Sequence, residues 1–328
     1  MRKFALIILL FIGQIFSAEV VKYGGEIFEF AKDSRLNAMG QTGVSFGVGP
    51  QAIFTNPANL DENATNTIFF SHQDLFSGLV KVNLLAKSFL LKFGNSLSFG
   101  FIRRAVEDIP NTADAIPNYV SDIPIDYSQI TYFDHQEIGF ITSYSNKFFK
   151  KHKIGVNLKT YYSSIDSYYG YGIGLDIGSQ SELSSNLALG VFIQDVTSTV
   201  IHWNTGTTEI IPPRVVIGQH YSNGNLTLSA DFGTRFLGEY SNSGLNILWH
   251  TVEYHFGFEY TIFEMISIRA GSSSLYPYSL GFGIKHNLLD FDYAFVSSPL
   301  ETPFNASHQI SVGLHFNNLK ELNDIFEP

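Results

Sequence analysis

The sequence has no cysteine and few charged residues. Without cysteine the chain has neither a disulfide framework nor a thiolate metal site. Charged residues make up 15% of the 328 residues, against about 25% in a typical soluble domain, which is too few for an ordinary soluble surface. Acidic residues outnumber basic ones, 30 to 20, so the composition does not favour a nucleic-acid partner, which requires a basic surface.

Long apolar runs are also absent, except at the N-terminus. There Arg2 and Lys3 precede the uncharged residues 4–16, and the small residue Ala18 follows. This order predicts a cleaved signal peptide over residues 1–18. The alternative is an uncleaved anchor, although a spanning helix needs about 20 apolar residues. Any further membrane crossing must use strands, because only helices and closed barrels satisfy every backbone group in lipid.

From residue 66 onward, apolar and polar residues alternate with a period of two, which indicates strands with one apolar face. Six short polar turns and seven other connections separate these stretches. Residues 106–131, 197–210 and 237–248 are among the longer connections. The count predicts an all-β fold, a transmembrane antiparallel barrel of about 14 strands over residues 66–316. A large soluble β-sandwich would show the same alternation, but the signal peptide and the low charge favour the barrel.

Residues 19–65 lie between the predicted signal peptide and the predicted barrel. They include a glycine-rich stretch that carries no charge after Arg35. Its backbone polar groups need partners, so we expect the barrel to enclose it as a hatch. Asn56 precedes a proline and is therefore biased towards an extended conformation, which predicts a bend just before the first strand. The predicted hatch residues are Gly40, Gly43, Gly47, Asn56, Pro57 and Ala58.

The polar faces of the strands carry ionisable residues and glycines. Inside a barrel the ionisable groups either line a conduction path or form a solvated, salt-bridged lining. Strand glycines often mark the close approach of another backbone, and the predicted hatch is the candidate neighbour. The lumen-facing candidates are Glu253, His255, Glu259, Arg269, Lys285 and Asp292, with Lys159, Asp176, Arg214 and Asp231 beside them. The glycines are Gly172, Gly174, Gly178, Gly257, Gly271, Gly281, Gly283 and Gly313.

The longest predicted connection, residues 106–131, is acidic and contains no lysine or arginine. Connections this long are usually functional or disordered. One hypothesis is that its apolar residues Ile116, Tyr119, Val120 and Ile123 form a contact surface for cargo or a lid over a solute site. The alternative is a solvated surface loop.

Enzymatic motifs are absent from the sequence. It contains no Gly-x-Ser-x-Gly and no His-Glu-x-x-His, and its ten histidines show no clustered ligand spacing. We therefore expect a non-enzymatic protein with no cofactor and no metal site.

Several stretches resemble a known family. Residues 31–60, AKDSRLNAMGQTGVSFGVGPQAIFTNPANL, are similar to the start of the PorV/PorQ outer-membrane proteins, relatives of the FadL transporters of hydrophobic compounds. Residues 154–178, residues 187–196 (LALGVFIQDV) and residues 255–295 extend the resemblance. It implies a 14-stranded barrel with an inward hatch in the bacterial outer membrane.

The resemblance also implies two functions. PorV and PorQ proteins serve type IX secretion, so one expectation is an accessory of protein export or surface attachment whose partners are secreted cargo or secretion-system proteins. The second is a FadL-like channel for hydrophobic small molecules. In both cases the outer-membrane lipid and the barrel-insertion machinery are partners.

Phe316 ends the last alternating stretch, and residues 317–328 are expected to form a periplasmic tail. A terminal aromatic residue resembles the signal by which barrels are delivered to the insertion machinery. We expect Phe316→Ser to lower the amount of protein in the outer membrane, and deletion of residues 317–328 to lower it less. Quantitative immunoblots of outer-membrane fractions measure both. Equal amounts of Phe316→Ser and wild-type protein would contradict the prediction.

Overall fold

The structure is a computed structural model that describes residues 26–47, 49–60, 66–91, 94–115, 126–149, 151–241, 244–300 and 302–316. The predicted signal peptide, residues 1–18, and the predicted tail, residues 317–328, lie outside these ranges. No helix in the described ranges is long and apolar enough to cross a membrane.

Sixteen strands belong to a single antiparallel sheet, and fourteen of them form a closed ring. Ring closure runs through the ladder between β5 and β6, which extends from the pair His152↔Ser181 to the pair Ile165↔Tyr168. The prediction of a 14-stranded antiparallel barrel is therefore confirmed. The strands are β1 Thr67–Leu75, β2 Val80–Leu90, β3 Ser96–Asn111, β4 Thr131–Phe149, β5 His152–Ile165, β6 Tyr168–Glu182, β7 Leu187–Gln194, β8 Thr199–Trp203, β9 Thr208–Ile211, β10 Arg214–Asn223, β11 Leu226–Ser241, β12 Gly244–Ile262, β13 Ile266–Ser273, β14 Ser279–Lys285, β15 Leu289–Val296 and β16 Ser307–His315.

The two strands outside the ring, β8 and β9, form a hairpin in the predicted connection 197–210. The hairpin pairs with β6 through four residue pairs, from Gly170↔Trp203 to Ile173↔Val200. The expectation of a loop is wrong here, and it is also wrong for residues 237–248. There β11 and β12 stay paired up to Ser241↔Gly244, with one register shift after Leu237.

The alternation separates two faces of the wall. Outward side chains such as Tyr171, Val252 and Leu280 are 60%, 61% and 51% exposed, which matches the apolar, lipid-facing band of an outer-membrane barrel. Inward side chains on the same strands, such as Asp176 and His255, are 2% and 5% exposed. Register and pleat together therefore assign each strand residue to lipid or lumen.

The described residues 26–60, called the N-terminal segment below, contact the inward face of many strands. Helix α1, Ser34–Ala38, has Asp33 as its N-cap residue. The Asp33 side chain accepts a hydrogen bond from the Leu36 N–H at 2.7 Å. A side chain at this cap satisfies a backbone donor that the first helical turn leaves free. The rest of the segment contains three 3-10 turns, Glu26–Phe28, Pro50–Phe54 and Pro57–Asn59.

Two neighbouring residues of β14 test the assignment of faces. Leu280 faces outward, and we expect Leu280→Arg to destabilise the barrel by about 2–4 kcal/mol if it lies near the bilayer midplane. Gly281 faces inward, where an added Cβ would lie 2.5 Å from Ala38 Cβ, so Gly281→Arg should displace the N-terminal segment instead. Heat-modifiable migration measures barrel folding, and protease cleavage after α1 measures displacement. Exchange of the two phenotypes would reverse the assignment.

Candidate functional site

The candidate site is the interior of the barrel, where the N-terminal segment meets the inner wall. Gly40 adopts a φ of 67°, and its N–H donates to Ser279 Oγ at 3.1 Å. Its carbonyl oxygen lies 2.9 Å from His255 Nδ1. The Gly43 N–H donates to Asp231 Oδ2 at 2.8 Å. These two predicted hatch glycines thus expose backbone groups that the wall binds directly.

The Asn56-Pro57-Ala58 bend is formed by one buried side chain. Asn56 is extended, with φ −153° and ψ 109°, and its Oδ1 accepts from the Ala58 N–H at 3.0 Å. Its Nδ2 donates to Val44 O at 2.6 Å within the segment and to Ser179 O at 3.1 Å on β6. Asn56 therefore joins the bend, the segment and the wall.

Wall glycines allow the segment to approach closely. An added Cβ at Gly100 would lie 2.5 Å from Ile53 Cδ1, and one at Gly257 would lie 2.6 Å from Met39 O. Either side chain would force the segment to shift. Gly47 belongs to the segment and not to the wall, and a Cβ added there would meet Ala52 and Asn59 of the segment itself.

The predicted glycine contacts are right for half of the strand glycines singled out from the sequence. Gly178, Gly257, Gly271 and Gly281 face the N-terminal segment. The other four have different neighbours, because the hairpin and the ion pairs occupy part of the inner wall. Gly172 and Gly174 face β8, Gly283 faces Arg269 and Asp292, and Gly313 faces Thr67 and Asp290.

A chain of ion pairs links the segment to β12, β13 and β15. Arg35 donates two hydrogen bonds to Glu259, at 2.8 and 2.6 Å. Arg269 donates to Glu259 at 2.6 Å and to Asp292 at 2.7 Å. Bidentate pairing between arginine and a carboxylate is directional as well as strong, so these contacts hold helix α1 in one orientation.

The other lumen-facing candidates have different surroundings. Glu253 accepts from Arg214 at 2.5 Å, and this pair passes close to Gly233, where an added Cβ would lie 3.4 Å from the carboxylate. Lys285 occupies an inward register position but is exposed, because it ends β14 at the short-turn rim. The hypothesis that these groups line a conduction path stays a prediction.

The sequence pattern did not reveal one buried ion-pair network. Lys159, 1% exposed, lies 2.7 Å from Asp176 and 2.5 Å from Asp195. Its Nζ also lies 4.8 Å from the centre of the Phe28 ring. Asp195 follows β7 directly and has a φ of 55°, so its position depends on the turn into the hairpin, which the sequence pattern did not reveal.

The inner wall over β1 to β4 carries apolar side chains between buried polar ones such as Ser71 and Gln73, and it includes the ion pair between Arg104 and Glu137. Its apolar side chains form one buried cluster with apolar side chains of the N-terminal segment, including Phe28, Ile53 and Phe54. We call the wall part of this cluster the apolar sector. Its members are Phe69, Leu75, Val82, Leu84, Ala86, Ile102 and Ile141. The wall of β10 to β15, which carries the ion pairs with helix α1, is here called the charged sector.

A cavity of about 20 Å³ lies between the segment and the charged sector. Phe28 and Phe54 line one side of it, and Arg214, Asp231 and His255 line the other. This volume admits one water molecule and no organic solute. A larger molecule therefore enters only if the segment moves.

Two segment residues beside this region have shifted pKa values. Burial raises the pKa of Asp33 from 3.8 to about 6, although the Leu36 N–H and the charges of Arg35 and Arg269 oppose the shift. Burial, together with the charge of the nearby Arg214, lowers the pKa of Lys32 to about 8. Both shifts show that ionised side chains are costly at this depth in the lumen.

The described residues include neither a metal-binding group nor the predicted outer-loop contacts. They contain no group of three or more histidine, aspartate or glutamate side chains able to hold a metal ion. The predicted outer-loop contacts Ile116, Tyr119, Val120 and Ile123 lie outside the described residues. Around them, Asp126 N–H donates to Ala115 O at 3.1 Å and closes the base of the loop.

Comparisons with known proteins place the fold. No protein-family model and no curated protein matches the chain. The toluene transporter TodX of Pseudomonas putida is similar over 87% of this chain and 98% of its own, with 11% identity and a TM-score of 0.66. The Ralstonia pickettii toluene transporter TbuX, with the same coverage, has 13% identity and a TM-score of 0.60.

A FadL homologue from Pseudomonas aeruginosa is also similar, with 12% identity, a TM-score of 0.51 and the same coverage of 87% and 98%. At these identities the likeness concerns the fold alone. The chain has the closed 14-strand architecture of FadL-like outer-membrane transporters. The narrower PorV/PorQ resemblance stays a prediction.

Asp33→Asn tests the cost of the buried carboxyl group. The raised pKa means that the contribution of Asp33 to stability is complete below pH 4 and is lost as the pH rises through about 6. Asparagine keeps the helix cap and removes the charge, so we expect protection of the N-terminal segment to rise at pH 7.5 by up to about 3 kcal/mol. Protease sensitivity of the segment between pH 4 and 8 measures this. An equal pH dependence in both proteins would contradict it.

Proposed function

We propose that this chain is a bacterial outer-membrane channel for hydrophobic small molecules, closed here by its N-terminal segment. The observation that carries the proposal is the apolar sector. An aqueous pore is lined by polar side chains, whereas this lumen contains a large buried apolar cluster between wall and segment. Two of the similar solved structures are toluene transporters, which supports the same conclusion.

The apolar sector has the properties of a covered path. Leu84 and Ile102 of the wall are fully buried, and Ile53, also fully buried, lies against them in the same cluster. If Phe28, Ile53 and Phe54 withdrew, a hydrophobic molecule could replace their side chains, because it would restore the buried apolar contacts. Water would not replace them as well. The same movement breaks the ion pair between Glu29 and Arg235.

The segment has an anchored side that need not move. Residues 40–44 are bound to the wall through backbone groups, and Thr42 Oγ1 lies 2.8 Å from Ser229 Oγ. The covering residues on the apolar sector make mainly apolar contacts, together with hydrogen bonds from Asn157 Nδ2 to Ile53 O at 3.0 Å and from Gln73 Nε2 to Phe30 O and Lys32 O at 3.3 and 2.6 Å. We infer that opening separates the segment from the apolar sector first.

An irregularity of the wall supplies a side route. β7 ends at Gln194 and β10 begins opposite it at Arg214, whereas β6 and β11 continue further. The hairpin β8–β9 pairs with β6, and no ladder joins β9 to β11 among the described pairings. Unpaired backbone groups are costly in lipid, so this edge is better suited to a passage than to contact with the bilayer.

Export or surface attachment remains the alternative hypothesis. It depends on a cargo contact at residues 116–125, which the structure does not describe. Cleavage of residues 1–18 by a signal peptidase and a hatch spanning residues 19–65 belong to both hypotheses and remain predictions.

A reversible crosslink tests the channel. Because the chain has no cysteine, Ile53→Cys with Gly100→Cys creates a single pair of thiols between the segment and β3 of the wall. Ile53→Cys also removes the Cδ1 atom that a Cβ at position 100 would otherwise meet at 2.5 Å. We expect oxidation to reduce uptake of radiolabelled toluene by intact cells to the level of cells without the protein, and dithiothreitol to restore it.

The matched control is Thr42→Cys with Ser229→Cys, which joins the segment to the wall on its anchored side. This pair should oxidise without changing toluene uptake. The proposal fails if wild-type protein gives no uptake above background, or if the oxidised Ile53→Cys, Gly100→Cys variant transports as well as the reduced one.

A further inference from the structure

The chemical class of the solute depends on the proposed channel function. We propose that the solute carries a hydroxyl group whose single hydrogen is shared between the acceptors of Asp231 and His255. Similar solved structures include a toluene transporter and a monoaromatic hydrocarbon channel, and these two buried side chains would distinguish the present chain from a channel for pure hydrocarbons.

Asp231 and His255 stand directly opposite each other on β11 and β12. Both face the lumen, both are at least nine-tenths buried, at 1% and 5% exposed, and both line the 20 Å³ cavity. Each has one buried polar atom without a hydrogen-bond partner among the described residues, Asp231 Oδ1 and His255 Nε2. Two such atoms on one cross-strand residue pair are unusual, because buried polar atoms are nearly always paired.

Both unpaired atoms are acceptors. Asp231 Oδ2 already accepts from the Gly43 and Val44 N–H groups, at 2.8 and 3.1 Å, and Oδ1 of the carboxylate can only accept. His255 Nδ1 lies 2.9 Å from Gly40 O. Because a carbonyl oxygen accepts, Nδ1 donates, and Nε2 of the neutral ring is left as an acceptor.

No neighbouring side chain supplies the missing donor. The ionisable group nearest to Nε2 is Glu253, whose Oε2 is 3.8 Å away, too far for a hydrogen bond. The Lys32 ammonium also lines the cavity, and its hydrogen bond goes to Gln41 O at 2.7 Å and not to either acceptor. A hydroxyl group can supply a donor to these acceptors, and a hydrocarbon cannot.

The surroundings favour a neutral head group. A cation would face the Lys32 ammonium and the Arg214 guanidinium, which line the same cavity. An anion would face the Asp231 carboxylate. A hydroxyl group carries no charge and donates one hydrogen bond, so it satisfies an acceptor without either repulsion.

The size and lining of the cavity indicate where the hydrophobic body of the solute would lie. The cavity is the size of a single small group. Its lining includes the apolar side chains of Phe28, Phe54, Phe192 and Val216, together with polar residues such as Glu29, Thr55 and Gln194. A hydroxyl fits the present volume. The hydrophobic body would occupy the space that Phe28 and Phe54 leave when the segment separates from the apolar sector, which is the same movement that opens the channel.

Ligand binding to the full-length, detergent-purified barrel tests this inference without transport. The probes are 4-fluorophenol, 4-fluorotoluene and 4-fluorobenzoate, followed by fluorine NMR at pH 7, where the phenol is neutral. We expect 4-fluorophenol to bind about tenfold more tightly than 4-fluorotoluene, the effect of one hydrogen bond to a buried acceptor.

Two variants should remove this preference. His255→Phe deletes the Nε2 acceptor and keeps a ring of similar size. Gly218→Ala keeps the Asp231 side chain, but its methyl group would clash with Oδ1, so the carboxylate must turn away from the cavity. In both, the affinity for 4-fluorophenol should fall towards that for 4-fluorotoluene, while heat-modifiable migration reports a folded barrel. His72→Phe, on the outer part of β1 and bonded to Asn83, is the control that keeps the preference.

The outcomes separate the two proposals. Equal affinity for 4-fluorophenol and 4-fluorotoluene, tighter binding of 4-fluorobenzoate, no binding of any probe, or an unchanged preference in folded His255→Phe protein would overturn the hydroxyl site. Toluene uptake that follows the crosslink while 4-fluorophenol shows no preference would leave the channel standing and remove this inference alone.

Discussion

A ring of fourteen strands encloses more space than its own inward side chains fill, and the whole interior depends on how that space is occupied. About eight strands close around a lumen that side chains can pack, and sixteen or more leave a water-filled channel. Here the N-terminal segment supplies the missing volume. Its approach is close enough that wall glycines at Gly100 and Gly257 have no room for a methyl group.

The two halves of the lumen bind the segment by different physical means. On the charged sector, Arg35, Gly40 and Gly43 make directional hydrogen bonds to Glu259, His255 and Asp231. On the apolar sector the contacts are mainly hydrophobic, and these tolerate replacement by any molecule of suitable shape and polarity. The first kind of contact fixes position, and the second can be exchanged for a solute. A closed barrel with one exchangeable half needs no large rearrangement of its wall to open.

The period of two in the sequence was sufficient to predict the barrel, its fourteen strands and the side of the wall on which His255 or Leu280 lies, because strand geometry alone determines these. It was not sufficient for contacts across the lumen. Arg35 and Glu259 are 224 residues apart, and neither carries a local signal of its partner. The hairpin β8–β9 was missed because Thr199–Trp203 and Thr208–Ile211 are too short for their alternation to stand out. The strand ends near Ser241 were taken for a loop, since pairing continues there through polar residues.

The bend at Asn56-Pro57 lies about ten residues before β1, which begins at Thr67, so the segment stays covalently attached to the wall when it leaves its binding surface. Closing is then an intramolecular reaction. A short tether of this kind gives an effective concentration in the millimolar range, whatever the number of copies in the membrane. The open fraction of such a barrel depends on the free-energy difference between the closed and the open state of one chain and on the solute concentration. It does not change when the protein is diluted.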